Sequence, residues 1–393
     1  MLRIFNSLTM KTERFRSIEE KRVKMLICGP TVYDNIHLGH ARTFVTFDVL
    51  ARFLTYMGHD VRVVVNVTDR DRKITERAKY EGLPPDLIAG LYLDEFKRDL
   101  TLLGISTFND FFRVSEQTGL AARLVRTLIE RGQAYSAGDN VYLRNRWGGK
   151  LFGISERELR LMRIELDPLK REQSDIKLWT AEARGETGGP SWHMQDASVA
   201  VAALGGRYDV HGGAIDLIYP HHRSYVKIME ALLSDRSPAR YWVHVGLLLY
   251  RGRKMSKSIG NVVEVKSVMK RFSPEALRLY LLSHHYRDEL DFSIKGLTQA
   301  CSRYREVSEV LSSYREELLE LDEKGPHRMR TEMSTRYLRE FMRSISDDLN
   351  TPEAIESLMA LCSSMMRREA STDHLLSLRE MCEVLGIPAA RDR

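Results

Sequence analysis

The chain has 393 residues, 29% of them charged and 43% hydrophobic, with a formal net charge of +6; this excludes a disordered polyelectrolyte, leaves room for two or three folded domains, and is compatible with a nucleic-acid partner. No run of eighteen apolar residues and no signal-peptide pattern is present, so no membrane partner is expected and a cytoplasmic location is. The four cysteines, Cys28, Cys301, Cys362 and Cys382, lie far apart without a CxxC pair, against a disulfide framework or a zinc ribbon.

The first strand is expected at Val23 to Cys28, an apolar run closed by Gly29-Pro30. Phe44, Phe47, Leu50, Leu54 and Met57 then recur every three or four residues, one face of a helix opening near Leu38 and stopping at Gly58. Val61 to Val67 is β-branched and nearly all apolar, as a strand covered on both faces is. Strand, helix and strand in this order predict a βαβ unit and a parallel sheet.

Pro85 to Leu103 and Ser115 to Arg131 read as amphipathic helices, each closed by a glycine. Arg144 to Pro190 has little periodicity and is expected to be an irregular insertion. Strand character returns around Arg207 to Val210, Ile215 to Tyr219 and Trp242 to Tyr250. From Ser273-Pro274-Glu275, a capped helix start, the pattern is helical, with periods over Leu297 to Leu319, Thr331 to Leu349, Pro352 to Arg368 and His374 to Leu385. The expected fold is α/β: a Rossmann-like parallel-sheet nucleotide-binding domain with an inserted connective domain and a C-terminal α-helical bundle. The expected divisions are 1–110 and 191–250 for the halves of the Rossmann domain, 111–190 for the insertion, 251–295 for a loop and stem-contact region, and 296–393 for the bundle.

Two short segments carry the chemistry. His37-Leu38-Gly39-His40 stands where the first strand hands over to the first helix, where a phosphate meets free N–H groups and the positive end of the helix dipole. Far downstream, Lys254-Met255-Ser256-Lys257-Ser258 puts two ammonium groups on a glycine-bounded loop, suited to the charge that grows on a departing pyrophosphate.

These two signatures, in this order, resemble the ATP-binding motifs of class I aminoacyl-tRNA synthetases. CGPTVYDNIHLGHAR (Cys28 to Arg42), NVTDRDRKI (Asn66 to Ile74), GPSWHMQD (Gly189 to Asp196), HGGAIDLIYPHH (His211 to His222) and DDLNTPEA (Asp347 to Ala354) narrow the resemblance to the cysteinyl-tRNA synthetases. It implies ATP-dependent formation of cysteinyl-adenylate and transfer to the terminal adenosine of tRNA, with ATP and Mg²⁺ as cofactors, cysteine and tRNA as partners, and a monomer. His37, His40, Lys254 and Lys257 then carry catalysis. ATP contacts fall to Gly39, Gly212, Gly213, Asp216, Met255, Ser256 and Ser258, with Asp216 accepting from ribose hydroxyls.

In that family a zinc ion selects cysteine through the substrate thiolate, held by two cysteines, a histidine and a glutamate. The corresponding positions here are Cys28, Asp196, His221 and Tyr225, so a carboxylate replaces one thiolate and a phenol, a poor zinc ligand at neutral pH, replaces the glutamate. Two expectations stand side by side: zinc (Zn²⁺) held by Cys28, Asp196 and His221 with the substrate as fourth ligand, or a metal-free pocket in which Asp196, His221 and Tyr225 hydrogen-bond one another and the substrate. Gly29, Thr68, Trp192, His193 and His211 complete the expected amino-acid pocket. Arg72 stands where the family shows an acid, and the chain ends at Arg393 without the further anticodon-reading domain of many bacterial members. These departures leave an alternative function, a synthetase-like ligase that passes an activated small amino acid to a non-tRNA acceptor, and a third, non-catalytic class for which intact HLGH and KMSKS have no use.

Overall fold

The computed structural model describes residues 1–145, 151–155, 158, 166–180, 188–234, 237–323, 335–367 and 370–388. An antiparallel hairpin, β1 (Arg3–Asn6) and β2 (Lys11–Arg14), precedes the expected βαβ unit of β3 (Arg22–Thr31), α1 (Leu38–Tyr56) and β4 (Asp60–Thr68). Next come α2 (Arg72–Glu81), α3 (Pro85–Leu102) and β5 (Phe108–Arg113), which pairs parallel with β4. β5 runs three residues past the division expected at 110. It is an edge strand with mostly half-buried residues, and for that reason FNDFFR lacks the apolar run that marks its buried neighbours.

The insertion is more regular than its composition suggests. It holds α4 (Thr118–Glu130) and a four-stranded antiparallel sheet of β6 (Ala134–Ala137), β7 (Asn140–Leu143), β8 (Ile176–Thr180) and β9 (Gly189–Pro190). Strands of two to five residues are too short for a period of two to declare itself. Residues 146–150, 156–157, 159–165 and 181–187 of this stretch lie outside the described residues.

The chain then re-enters the main sheet through α5 (Trp192–Leu204), β10 (Tyr208–Ala214), α6 (Arg223–Leu233) and β11 (Ala239–Val245). Ile215 to Tyr219, expected as a strand, instead forms a tight 3₁₀ turn and enters a wider π-type turn before α6, with a cis Tyr219–Pro220 bond; proline has no N–H to continue a ladder. The five-stranded order is β11-β10-β3-β4-β5, every pair parallel. Successive strands run outward from β3 to β5 and then resume on the other side of β3, so the direction of travel reverses between β3 and β10. In open α/β sheets a ligand crevice lies at such a reversal, beyond the carboxyl ends of the strands.

Alternation along the strands divides the core. Met25, Ile27, Val63 and Val65 face the cluster built with α1, whereas Leu26 and Val64 face the one built with α5, α6 and Trp242. Cys28, two residues beyond Leu26, shares that second face.

After β11 come β12 (Leu248–Tyr250), β13 (Arg253–Lys254), α7 (Val265–Met269), α8 (Pro274–Leu282) and β14 (Leu290–Phe292), then α9 (Ile294–Ser313), α10 (Arg315–Glu323), α11 (Arg336–Ser346), α12 (Thr351–Arg367) and α13 (Thr372–Leu385). The helix expected over Leu297 to Leu319 is two helices parted at Tyr314, and the expected start at Thr331 falls outside the described residues. The bundle is keyed to the sheet domain by Arg278, which reaches Asp48 on α1 and the carbonyls of Leu103 and Leu385. Burial pushes the Asp48 carboxyl up, but Arg278, Arg52 and Thr107 together hold it below its ordinary value. Without Arg278 the Asp48 carboxylate would keep only Arg52 and Thr107 as partners.

Candidate active site

A cavity of about 950 Å³ opens at the reversal point, within the range of small-molecule sites. Of the residues expected at the site, Cys28, Gly29, His37, Gly39, His40, Thr68, Trp192, His193, Asp196, Asp216, His221, Lys254, Met255, Ser256 and Lys257 line it. His211, Gly212, Gly213 and Tyr225 do not, and the Ser258 side chain lies outside the described residues. A Cβ on Gly212 would meet the Phe47 ring at 2.2 Å, and one on Gly213 would meet His222 and Leu217 at 3.0 Å. Their missing side chains therefore serve packing against α1 and the turn after β10.

At one end of the cavity α1 begins. His37 is its N-cap, with Nδ1 accepting from the Gly39 N–H at 3.1 Å, while His40 Nδ1 accepts from the His37 N–H at 3.3 Å. The two rings stack with centroids 3.9 Å apart. Gly39 permits this, because a Cβ there would meet the His37 ring at 2.8 Å. Burial first, then the neighbouring Lys257, lowers the His37 pKa to about 4, and burial with His37 and Lys257 lowers that of His40 as well. Both imidazoles are thus neutral at pH 7. Since Nδ1 accepts in each, the proton sits on Nε2, which makes each ring a phosphate donor and not a base.

The KMSKS loop closes the same end. Lys254 Nζ lies 2.5 Å from Asp216, and Lys257 Nζ lies 3.1 Å from Asp34 and 4.5 Å from the Tyr33 ring centroid. Burial lowers the Lys257 pKa, against the pull of Asp34. Asn261 shapes the loop by accepting from Ser256 N at 2.9 Å and donating to the Lys254 carbonyl at 3.0 Å. Met255 anchors it, buried, with Sδ accepting from Val263 N.

The opposite end is a network of buried polar side chains around Cys28. Its Sγ is 3.4 Å from Asp196 Oδ2, 3.1 Å from His222 Nε2, 3.5 Å from His211 Nε2 and 4.0 Å from His221 Nε2. Burial and the Asp196 carboxylate push the Cys28 thiol well above its ordinary value. Asp196 accepts from Asn66 Nδ2 at 2.6 Å and meets His221 Nε2 at 2.9 Å, and His221 Nδ1 faces His193 Nδ1 at 2.9 Å. Tyr225 takes no part in that string. Its hydroxyl is fully buried against the Tyr208 hydroxyl at 2.7 Å, and Tyr208 in turn meets His211 Nδ1 at 2.6 Å. Burial raises the Tyr225 phenol far above 10, so no phenolate is on hand as a ligand.

The sequence reading did not single out Asp34, Asn66, Tyr208, His222, His244 or Asn261. Asp34, Asn66 and His222 lie inside the motifs quoted above, where adjacency to a chosen residue was the available signal. Tyr208 and His244 are core strand residues, and nothing local distinguishes them.

The comparisons with known proteins agree with this geometry. The family model "tRNA synthetases class I (C) catalytic domain" matches residues 14–302. A cysteine–tRNA ligase of Thermococcus onnurineus is 35% identical over 384 residues, covering 93% of this chain and 80% of the relative. One of Geobacter sulfurreducens is 34% identical over 404 residues, covering 98% and 84%. Among solved structures, Mycobacterium tuberculosis methionyl-tRNA synthetase with methionyl-adenylate superposes with a TM-score of 0.62 at 16% identity, covering 93% of this chain and 89% of the other. An Agrobacterium radiobacter LeuRS in complex with tRNA and LeuAMS gives 0.63 at 13%, covering 92% and 83%. The parallel sheet with its reversal-point cavity is the fold of those enzymes, and the extent of identity fixes the branch: the chain belongs to the cysteine–tRNA ligase family of class I aminoacyl-tRNA synthetases.

Proposed function

We propose that the chain condenses cysteine with ATP to cysteinyl-adenylate and pyrophosphate, then transfers the cysteinyl group to the 3'-terminal adenosine of tRNA(Cys) in the cytoplasm. The observation that carries this reading is the convergence on one cavity of the HLGH helix start, both KMSKS lysines and the Cys28–Asp196–His221 cluster. A cysteine carboxylate oxygen bonds to the α-phosphorus of ATP as the bond to the bridging oxygen breaks, and pyrophosphate leaves; the Mg²⁺ that accompanies ATP would neutralise part of its charge. The substrate brings its own nucleophile, so the protein supplies position and charge.

His37 and His40 donate through Nε2–H to phosphate oxygens at the start of α1, whose dipole adds to the same effect. Lys254 and Lys257 meet the charge that develops on the pyrophosphate. Both now face carboxylates, so the triphosphate must compete with Asp216 and Asp34 for them, and displacement frees Asp216 to accept from the ribose. Gly29, Thr68, Trp192, His193, Asp196 and His221 bound the amino acid. The family relationship implies zinc, and the donors around Cys28 fit it: a thiol with imidazole and carboxylate groups lies within 4.0 Å. Held by Cys28, Asp196 and His221, the ion would supply positive charge that favours a thiolate over a hydroxyl.

ATP–pyrophosphate exchange across the amino acids tests the first step, and charging of a total tRNA pool tests the second. Cysteine-dependent exchange with acylation of one tRNA species is expected. Absence of exchange with cysteine overturns the reading, and exchange without any charged tRNA replaces it with the small-acceptor ligase.

A further inference from the structure

The transfer step brings a third reactant to the cavity, and one side of the cavity's mouth is built of residues with no task toward ATP or cysteine. Lys73, Glu76, Arg77 and Tyr80 all line it from α2. Their spacing of three and four puts them on one helix face, with Lys73, Glu76 and Tyr80 exposed and Arg77 half-buried. About 10 Å of helix axis separates Lys73 from Tyr80, the rise of about three stacked nucleotides.

Cations and aromatic rings alternate along this face. Lys73 Nζ stands 5.5 Å from the centroid of the Tyr33 ring and 5.8 Å from that of Trp192, whose Nε1–H donates to the Asp71 carboxylate at 3.0 Å. The Arg77 guanidinium lies 5.8 Å from the Tyr80 centroid and 5.5 Å from that of Tyr92. Tyr80 is 85% exposed, so most of its ring meets solvent. Interleaved cations and open rings suit a single strand of nucleic acid: the cations track phosphates, and the rings stack with bases of any sequence.

The charge balance of the face agrees. Glu76, the one carboxylate among the four, lies 3.4 Å from Arg72 in an exposed pair. Arg77 pairs with Glu81 and donates to the Tyr92 hydroxyl at 2.7 Å. Such surface pairs contribute little to stability, so a phosphate can compete for the cations. Arg72 gains a reason here: the acid that the family shows at this position would stand beside Glu76 and repel a phosphate backbone, whereas the arginine cancels Glu76.

We propose that this face of α2 seats the unpaired 3' end of the acceptor RNA, with Lys73 and Arg77 holding its phosphates and Tyr80 stacking on a base, so that the terminal ribose is led into the cavity. The proposal rests on the reading that the acceptor is RNA. Lys73, Arg77 and Tyr80 are then positioning residues for transfer alone and take no part in forming the adenylate.

The test uses the full chain and the tRNA that it charges, intact or trimmed of its unpaired 3' nucleotides, with binding read by fluorescence anisotropy beside pyrophosphate exchange. Tyr80→Ala should leave exchange unchanged, weaken the intact RNA about 5- to 100-fold and leave the trimmed RNA unaffected, while Tyr80→Phe, which keeps the ring, should bind as the wild type does. Lys73→Gln should lower the slope of log affinity against log salt by about 0.7 for the intact RNA, and Arg72→Asp should raise the KM for tRNA without altering exchange. Equal losses on both RNAs, no loss in Tyr80→Ala, a loss in Tyr80→Phe as large as in Tyr80→Ala, or a fall in exchange in Tyr80→Ala or Lys73→Gln overturns the proposal and leaves the proposed function standing. A wild type that charges no RNA overturns both.

Discussion

At the ATP end of the cavity the charged side chains are open to solvent to different degrees, Lys254 and Asp216 exposed and Lys257 and Asp34 half-buried, and pair across it, Lys254 with Asp216 and Lys257 with Asp34. At the amino-acid end the polar groups are enclosed and mostly neutral: burial lowers the imidazoles of His193, His211 and His222 and raises the phenols of Tyr208 and Tyr225. The contrast follows the chemistry each end serves. A triphosphate brings several charges and is met by mobile cations that trade one anion for another, whereas telling a thiol from a hydroxyl requires groups fixed in place and shielded from water. An end built of exchangeable pairs tolerates local change outside its few cations, and one built of a closed hydrogen-bond string does not.

The sharpest way to break that comparison is at the ATP end. Lys257→Ala is expected to lower the exchange rate constant by about 10²- to 10³-fold with little effect on the KM for cysteine, measured by pyrophosphate exchange at saturating ATP; an equal rise in the cysteine KM would erase the division between the ends. Asp196→Ala should do the reverse. With Asn66 Nδ2 and His221 Nε2 deprived of their shared acceptor, kcat/KM for cysteine should fall about 10- to 100-fold, the value of one or two charge-assisted hydrogen bonds, while the ATP KM holds.

The neutral imidazoles give a pH signature. His37 has a folded pKa of about 4 against 6.5 for the free side chain, so the unfolded chain binds the extra proton between those values. Its contribution to stability is complete above pH 6.5 and is lost as pH falls toward 4, which denaturant unfolding followed across that window should show as a falling midpoint. The effect should be smaller in His37→Gln, which cannot titrate there. Smallest is Tyr225→Phe: the Tyr208 hydroxyl keeps His211 and loses one partner, so unfolding should cost about 1 kcal/mol less and the cysteine KM should change less than in Asp196→Ala. A larger change would bring Tyr225 into contact with the substrate.

Much of the architecture was legible because it rests on local patterns. The β-branched run of β4, the periodic face of α1 and the Ser273-Pro274-Glu275 helix start each declare their element within a few residues. The ATP residues were legible for the same reason, since HLGH and KMSKS are contiguous. Edge strand β5 and the short strands of the insertion were not, because a half-buried or two-residue strand carries no period to read.

The amino-acid end shows where such reading stops. From the sequence alone came the strand that carries Cys28, the loss of two expected ligands at Asp196 and Tyr225, and His211 and His221 as pocket residues. Only the tertiary structure decided which histidines meet the sulfur, that Tyr225 turns away to Tyr208, and that the glycines of HGG make room for Phe47 and His222. The reason is physical. Cys28, Asp196, His211 and His222 sit on β3, α5, β10 and the turn before α6, and their few ångströms of separation depend on how helices and strands pack across the sheet, a quantity that no local spacing encodes.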